Sequence, residues 1–181
     1  PLVSGIIALM LQANPDLTWR DVQHVLINTG EKNDPFDADW TTNAAGYSIN
    51  HKYGFGRIDA QAAIDTAASW TAAGPETTIQ ATSNPNLPIP DNNPVGVSDT
   101  IFISDNLRIE YVDIFFSASN HTYWGDLQIE LASPSGTKSI LAEKHSSGST
   151  YTYSNWRFGS VRHFGEPSEG TWTLRDRDLV A

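Results

Sequence analysis

Five histidines could act as general bases near neutral pH: His24, His51, His121, His145 and His163. Hydrolysis by a serine nucleophile requires a histidine beside that serine, an aspartate that orients the histidine, and an oxyanion donor. No such set is recognisable in this sequence, so we interpret each histidine as a surface, helix or sheet-edge residue. The sequence has no cysteine, which excludes a thiol nucleophile and a cysteine metal site.

Several aspartates offer oxygen ligands. Asp126 follows Gly125 at the start of a predicted strand, where its carboxylate could fix a turn by accepting backbone N–H groups or could join a calcium site. We favour the turn. The spacing of the other candidates fits no EF-hand loop, so calcium ligands are not assigned; these residues are Asp91, Asp99, Asp105 and Asp113.

Three tryptophans, Trp124, Trp156 and Trp172, are open to two interpretations. Packing in a core or an interface is favoured, and a platform that stacks on sugars is the alternative. Trp172 and Leu174 alternate with threonines, which indicates a strand with one apolar face. Nearby, Asn120-His121-Thr122 is a glycosylation sequon, meaningful only in a eukaryotic secretory pathway.

Asp176 falls on the same alternating face as Trp172 and Leu174, where an apolar residue is expected. Burial of an unpaired carboxylate is costly. Either the strand ends at this point or Asp176 has a partner.

A strand followed by a turn organises the second half of the sequence. Leu127, Ile129 and Leu131 alternate with polar residues, as in a half-buried antiparallel strand. Pro134 and Gly136 then favour a tight turn back toward residues 139–142.

Helical patterns occupy the first part of the sequence. Residues 2–11 have almost no polar face, which predicts a helix buried on all sides but too short to span a bilayer. Asn14-Pro15-Asp16 breaks this helix. Thr18 and Asp21 form a capping-box pattern for a second helix, and Gly30 is its expected C-terminal cap. Asp59 is the expected N-cap of a third helix.

A proline-rich stretch without periodicity, residues 74–90, predicts an extended linker. Strand-like runs follow at 100–104, 109–117, 126–132 and 170–176, which favours an antiparallel sandwich. The net charge of −10 over 181 residues makes nucleic acid an improbable partner and is typical of a solvated surface.

Four ordered motifs in the second half resemble the P domain, or homo-B domain, of kexin-like and furin-like subtilases. The family pattern is a Gly-Asp-Leu strand, a Ser-Pro-x-Gly-Thr turn, an aromatic-Gly-Glu segment and Gly-x-Trp-x-Leu. Trp124 and Phe164 depart from it, standing where many members have Arg and Trp. The residues that carry the resemblance are Gly125, Asp126, Leu127, Ser133, Pro134, Gly136, Trp156, Glu166, Gly170 and Trp172.

The opening of the sequence resembles the subtilase segment just after the catalytic serine, in which a Pro-Leu pair leads into a buried helix. Pro1 matches that proline, so the resemblance places the nucleophile and the rest of the triad before Pro1 and leaves no catalytic residue in this sequence. Residues 14–23, 39–46 and 51–60 resemble the convertase branch more than the plain bacterial subtilisins.

These observations predict the C-terminal helices of an α/β subtilisin-like domain (1–73), a linker (74–90) and a jelly-roll P domain that is C-terminally incomplete (91–181). The resemblance implies a secreted, calcium-dependent serine endopeptidase that cleaves peptides or proteins, with the P domain packed on its own upstream catalytic domain. The piece alone should be inactive. The alternatives are a carbohydrate- or protein-binding jelly-roll module and a pseudoprotease with a broken upstream triad.

Overall fold

The computed structural model describes residues 1–119, 121, 123–146 and 152–180, and the chain divides into two compact units. The first unit consists of Pro1–Thr42 and Ser48–Thr78, and the second of Asn43–Tyr47 and Ile79–Ala181.

Helices form most of the first unit: α1 (Leu2–Ala13), α2 (Trp19–Asn28) and α3 (Ala60–Ala68). Two antiparallel pairs of short strands accompany them. Strand β1 (Gly30–Glu31) pairs with β4 (Arg57–Ile58), and β2 (Thr41–Thr42) pairs with β3 (Ser48–Ile49). The core of this unit consists of Met10, Leu17, Val22, Val25, Ala63 and Ala67.

The predicted helix starts are confirmed. The Asp21 backbone N–H donates to Thr18 Oγ1 over 3.2 Å, and the Thr18 N–H donates to Asp21 Oδ2 over 2.8 Å, which completes a capping box. Asp59 Oδ1 accepts the Ala62 N–H over 2.9 Å. The expected cap at Gly30 is wrong, because α2 has Thr29 as its C-cap and Gly30 already pairs with Ile58.

Helix α1 is not buried on all sides in this chain. Met10 is fully buried, but Leu2 is 84% exposed and Leu9 is 48% exposed, with Val3 and Leu11 also exposed. The prediction failed because the elements of this unit cover only one side of an all-apolar helix. Several exposed large apolar side chains on one helix are typical of a helix that another segment covers.

Strands form the second unit. A four-stranded antiparallel sheet has the order β5–β10–β7–β8, and a separate pair joins β6 to β9. A single 3₁₀ turn, Trp124–Asp126, leads into β7. The strand bounds are β5 (Asn93–Ile103), β6 (Val112–Phe116), β7 (Leu127–Ala132), β8 (Lys138–Ala142), β9 (Trp156–Ser160) and β10 (Gly170–Asp178).

Alternation along β7 sets the inner face of this sheet. Leu127 and Ile129 are fully buried and Leu131 nearly so, as predicted. Phe116 of β6 and Phe158 of β9 pack on the Leu127–Ile129 cluster. The strand pair and the larger sheet therefore share an apolar interior.

The described residues between Ala68 and Asn93 contain no helix or strand. Among the described residues, no helix combines the length and the apolar character needed to cross a membrane.

Candidate functional site

A fully buried carboxylate, Glu166, is the centre of a polar network in the second unit. Ser133 Oγ donates to Glu166 Oε2 over 2.7 Å. Glu166 Oε1 accepts a hydrogen bond from the Thr137 hydroxyl and a second one from the Ala44 backbone N–H, the latter over 2.9 Å. These three donors satisfy a carboxylate that would otherwise be costly to bury.

The predicted turn after β7 brings the two hydroxyls to the same carboxylate. The Gly136 N–H donates to the Ser133 carbonyl over 2.9 Å, and the Ser133 N–H donates to the Thr137 carbonyl over 2.9 Å. The Thr137 N–H also contacts Ser133 Oγ over 3.2 Å. The turn therefore places both hydroxyls beside the Glu166 carboxylate.

Asn43 fixes the loop that supplies the Ala44 N–H. Its Nδ2 donates to the carbonyls of Phe164 and Arg162 over 2.8 and 3.0 Å. Its Oδ1 accepts the N–H groups of Ala45 and Tyr47 over 3.0 and 2.9 Å. One amide thus closes the loop on itself and attaches it to the segment that carries Glu166.

Gly165 has a steric reason to be glycine. Its φ is +82°, and a Cβ at this position would lie 2.7 Å from the Tyr47 ring and 3.0 Å from the Ala45 Cβ. The Phe164 ring meets the Tyr47 ring edge-on, with 5.1 Å between centroids. The Phe164-Gly165-Glu166 segment is therefore the surface on which the Asn43–Tyr47 loop lies.

The last motif lies on the other side of the turn. A Cβ added to Gly170 would stand 2.6 Å from the Pro134 side chain. Trp172 is 9% exposed, and its Nε1 donates to the Ser168 carbonyl over 2.9 Å. Motifs far apart in sequence thus meet around Glu166, and we name Glu166, Ser133, Thr137 and the Asn43–Tyr47 loop the loop anchor.

Two protein-family models match successive parts of the chain. The model described as Subtilase family matches residues 1–56, and the model described as Proprotein convertase P-domain matches residues 115–181. Proprotein convertase subtilisin/kexin type 6 of Rattus norvegicus is 39% identical over 99% of this chain and 20% of that relative. Protease KEX1 of Kluyveromyces lactis is 36% identical over 97% of this chain and 24% of that relative. The chain belongs to the kexin-like subtilases.

A solved structure agrees with this assignment. The serine protease of Aeromonas sobria matches 98% of this subtilase chain with a TM-score of 0.86 and 28% identity, and the chain covers 36% of that structure. The chain spans about one fifth of the length of the first curated relatives it matches. The resemblance read from the motifs is thereby confirmed.

His163 of this subtilase chain is not a surface or edge residue, and that prediction is wrong. The side chain is fully buried against Trp172, with 5.1 Å between ring centroids. Its Nδ1 lies 3.8 Å from Glu166 Oε2, and neither ring nitrogen has a hydrogen-bond partner among the described residues. Burial lowers the pKa of His163 to about 4, although the charge of Glu166 acts in the opposite direction. The ring is therefore neutral at pH 7.

His121 differs from its prediction as well. Its side chain is 13% exposed, and its Nε2 lies 3.2 Å from Asp178 Oδ2. His145 agrees better, because it is exposed and its ring lies edge-on to Trp124. The sequon that contains His121 falls partly outside the described residues.

The Gly125-Asp126-Leu127 motif leads from the 3₁₀ turn into β7. Gly125 and Leu127 are buried. In the part of the chain that the structure describes, the hydrogen bonds of Asp126 are made by its backbone: its N–H donates to Tyr123 O and its carbonyl accepts the Leu179 N–H. These main-chain hydrogen bonds help to fix the start of β7, and a role for the Asp126 carboxylate stays a prediction.

Trp124 and Trp156 form part of an aromatic cluster around the buried Tyr153. Trp156 is 51% exposed, whereas Trp124 is half-buried. Their rings are tilted by 47° with centroids 6.3 Å apart. This arrangement is not the flat platform that stacking on a sugar chain requires.

Calcium, which the family implies, has no fitting site among the residues that the structure describes. They contain no group of three or more His, Asp or Glu side chains placed to hold a metal ion. Asp113 pairs with Arg157 over 2.8 Å, and Lys52 neutralises Asp37 and Asp39 over 2.7 and 3.0 Å. The sequence candidates for calcium therefore do not converge on a Ca²⁺ shell of six or more oxygens.

Proposed function

We propose that the protein carrying this chain is a kexin-like serine endopeptidase that cleaves peptide or protein substrates. This chain supplies the end of the subtilisin-like domain, a linker at 74–90 and a P domain from residue 91, and the catalytic triad lies N-terminal to Pro1. The order of the two family matches supports the arrangement. The exposure of Leu2 and Leu9 on α1 supports it as well, since an apolar helix of this kind needs cover from the rest of a domain.

The P domain acts in this proposal by stabilising the protease. The observation that carries this role is the loop anchor, in which Glu166 accepts the Ala44 N–H over 2.9 Å. The Asn43–Tyr47 loop is continuous with β2 and β3, the short strands on either side of it. Loss of the loop anchor would release the loop between β2 and β3 and lower the stability of these two strands.

Secretion, a jelly-roll topology for the P domain and a calcium requirement complete the proposal, all by analogy with the family. The calcium ligands would lie outside the described residues of this chain. Because the described residues contain no cluster of acidic side chains placed to hold a metal ion, chelation should act on the intact enzyme and leave the second unit unchanged.

An assay of two proteins tests the proposed activity. We expect the 181-residue chain to show no turnover of casein or of peptides with paired basic residues, because it offers no triad. The protein that carries the chain should cleave those peptides and be inactivated by a serine-directed reagent. Turnover that copurifies with the short chain, or a longer protein without activity after correct folding, would contradict the proposal.

A binding module is the second candidate, and the half-exposed Trp156 is the observation that favours it. Trp156→Ala should abolish retention on polysaccharide if this candidate is correct. A matched change at the exposed Phe36 in the first unit, Phe36→Ala, serves as the control. We expect neither protein to be retained, because the tryptophan rings are not coplanar.

A further inference from the structure

Asp176 is a buried carboxylate that the proposed function does not use. Strand β10 continues through Asp178, so the strand does not end at Asp176. The residue pairs with Ile129 of β7 and Val97 of β5 and lies on the inner face of the sheet. It is 5% exposed, and neither carboxylate oxygen has a hydrogen-bond partner among the described residues.

Asp178 is the nearest acidic neighbour on the same strand face. It is 2% exposed, its Oδ2 lies 3.2 Å from His121 Nε2, and its Oδ1 accepts the Val180 N–H over 2.9 Å. Asp178 therefore has side-chain and backbone partners, whereas no described side chain pairs with the Asp176 carboxylate.

Within the described residues, the other elements around Asp176 supply no cation to it. From β7 the same face presents Leu127 and Ile129, and from β5 it presents Val97 and the half-buried Asp99. Tyr153 adds a buried phenol whose pKa is raised by burial and by the charge of Asp176.

Arg177 is adjacent in sequence, but its side chain is engaged elsewhere. Its guanidinium pairs with Glu130 over 2.9 Å, and Glu130 also pairs with Lys138 over 3.2 Å. Since successive side chains of a strand point to opposite faces, this network lies on the outer face of the sheet.

We propose that Asp176 takes up a proton when this sheet folds, so that the second unit carries a proton-controlled stability device. An unpaired carboxylate in an apolar interior is much cheaper to hold protonated than ionised. Burial accordingly raises the pKa of Asp176 to about 7, opposed by the Arg177 backbone N–H and reinforced by the charge of Asp178.

The direction of the effect follows from linkage. The pKa of Asp176 is 3.8 in an unfolded chain and higher in the fold, so the folded state binds more protons between those values. The contribution of Asp176 to stability is complete in acid. As the pH rises toward 7, the folding equilibrium constant falls by up to about tenfold per pH unit. His163 acts in the opposite direction below its ordinary pKa of 6.5, so the pH profile of a single protein is not diagnostic.

A comparison of variants isolates the device in the protein that carries this chain. Asp176→Asn keeps the shape of a protonated carboxyl and removes its titration. We divide the folding equilibrium constant of Asp176→Asn by that of the unaltered protein. This ratio should grow tenfold or more in total as the pH rises from 4.5 to 7.5. Asp105→Asn, at an exposed position, is the matched control and should show no such trend.

A second variant and a direct readout keep the test independent of global stability. Asp178→Asn removes the neighbouring charge and should lower the pH at which Asp176 titrates. The Asp176 carboxyl resonance, assigned in ¹³C-labelled protein by its loss in Asp176→Asn, should report a protonated group at pH 6.

Three results would overturn the proposal. The first is an Asp176 carboxyl that is ionised at pH 5, and the second is an advantage of Asp176→Asn that does not change with pH. The third is a gain in stability from Na⁺ or Ca²⁺ at pH 8 that requires Asp176, because the pair would then bind a metal cation in place of a proton.

Discussion

Asn43 is the residue whose side-chain amide makes four of the hydrogen bonds of the loop anchor. Asn43→Ala removes four hydrogen bonds, two of which the amide donates to the carbonyls of Arg162 and Phe164. We expect the free energy of unfolding to fall by about 2 to 4 kcal/mol. Denaturant unfolding measures this change in free energy, and Asn106→Ala, at an exposed position, is the control. Equal stability of the two variants would show that the amide bonds are not significant.

His163 should make the second unit sensitive to acid. Its pKa is lowered from 6.5 to about 4, so the folded state holds a neutral ring. Its contribution to stability is complete above pH 6.5 and is lost as the pH falls toward 4, by up to about 3 kcal/mol.

The titration of His163 can be followed by NMR through its ring protons. His163→Phe keeps an aromatic ring in the site, removes the titrating group and should abolish this part of the acid sensitivity. A His163 resonance that titrates near pH 6.5 would contradict the assignment.

Sequence alone could identify the residues of the loop anchor that belong to motifs, but not Asn43. Ser133 and Glu166 stood out because they occur in motif order. Asn43 reaches its partners across 119 and 121 positions, and no local pattern reveals such contacts. His163 was misplaced for the same reason, because its burial depends on Trp172 of another strand.

At the scale of secondary-structure elements, helix α2 depends on one carboxylate. Asp21 accepts hydrogen bonds from Thr18 and also from Trp70 Nε1 (3.0 Å) and the Ala73 N–H (2.7 Å) beyond α3. Burial raises the pKa of Asp21, but these hydrogen bonds outweigh it and lower the pKa to about 2. Its contribution to stability is therefore present above pH 3.8 and is lost as the pH falls toward 2.

Asp21→Ala should lower the free energy of unfolding of the first unit by about 2 to 3 kcal/mol, because it removes a cap and leaves buried donors unpaired. The exposed Asp16→Ala is the matched control. Thermal unfolding followed by far-UV circular dichroism measures the difference. A Tm for Asp21→Ala within error of the Tm of Asp16→Ala would contradict the role of Asp21 as a cap.

The elements with strong periodicity were predictable and the others were not. Capping chemistry located the starts of α2 and α3, and alternation located β7. Strand β5 extends back to Asn93, seven residues before its predicted start, because its pairing with β10 continues to Asp178 with an irregularity. That extension depends on a partner strand and has no local signal.

At the scale of the whole molecule, the two units of the chain differ in how much of their apolar surface is covered. The second unit has a core made by its own strands. The first leaves Leu2 and Leu9 in solvent, although its sequence predicted complete burial of α1. Under the proposed function the rest of the subtilisin-like domain covers these side chains, and stability measured on the chain alone would underestimate that of the first unit.

Thermal inactivation of the full protein tests most directly the central claim, that the loop anchor stabilises the protease. Glu166→Ala removes the acceptor of the Ser133 and Thr137 hydroxyls and one of the two acceptors of the Ala44 N–H, whereas Glu169→Gln changes an exposed neighbour. We predict that Glu166→Ala inactivates several degrees below the unaltered enzyme, as expected for a loss of about 3 kcal/mol, while kcat/KM at low temperature is unchanged. Inactivation curves of Glu166→Ala and Glu169→Gln that superimpose would contradict the claim.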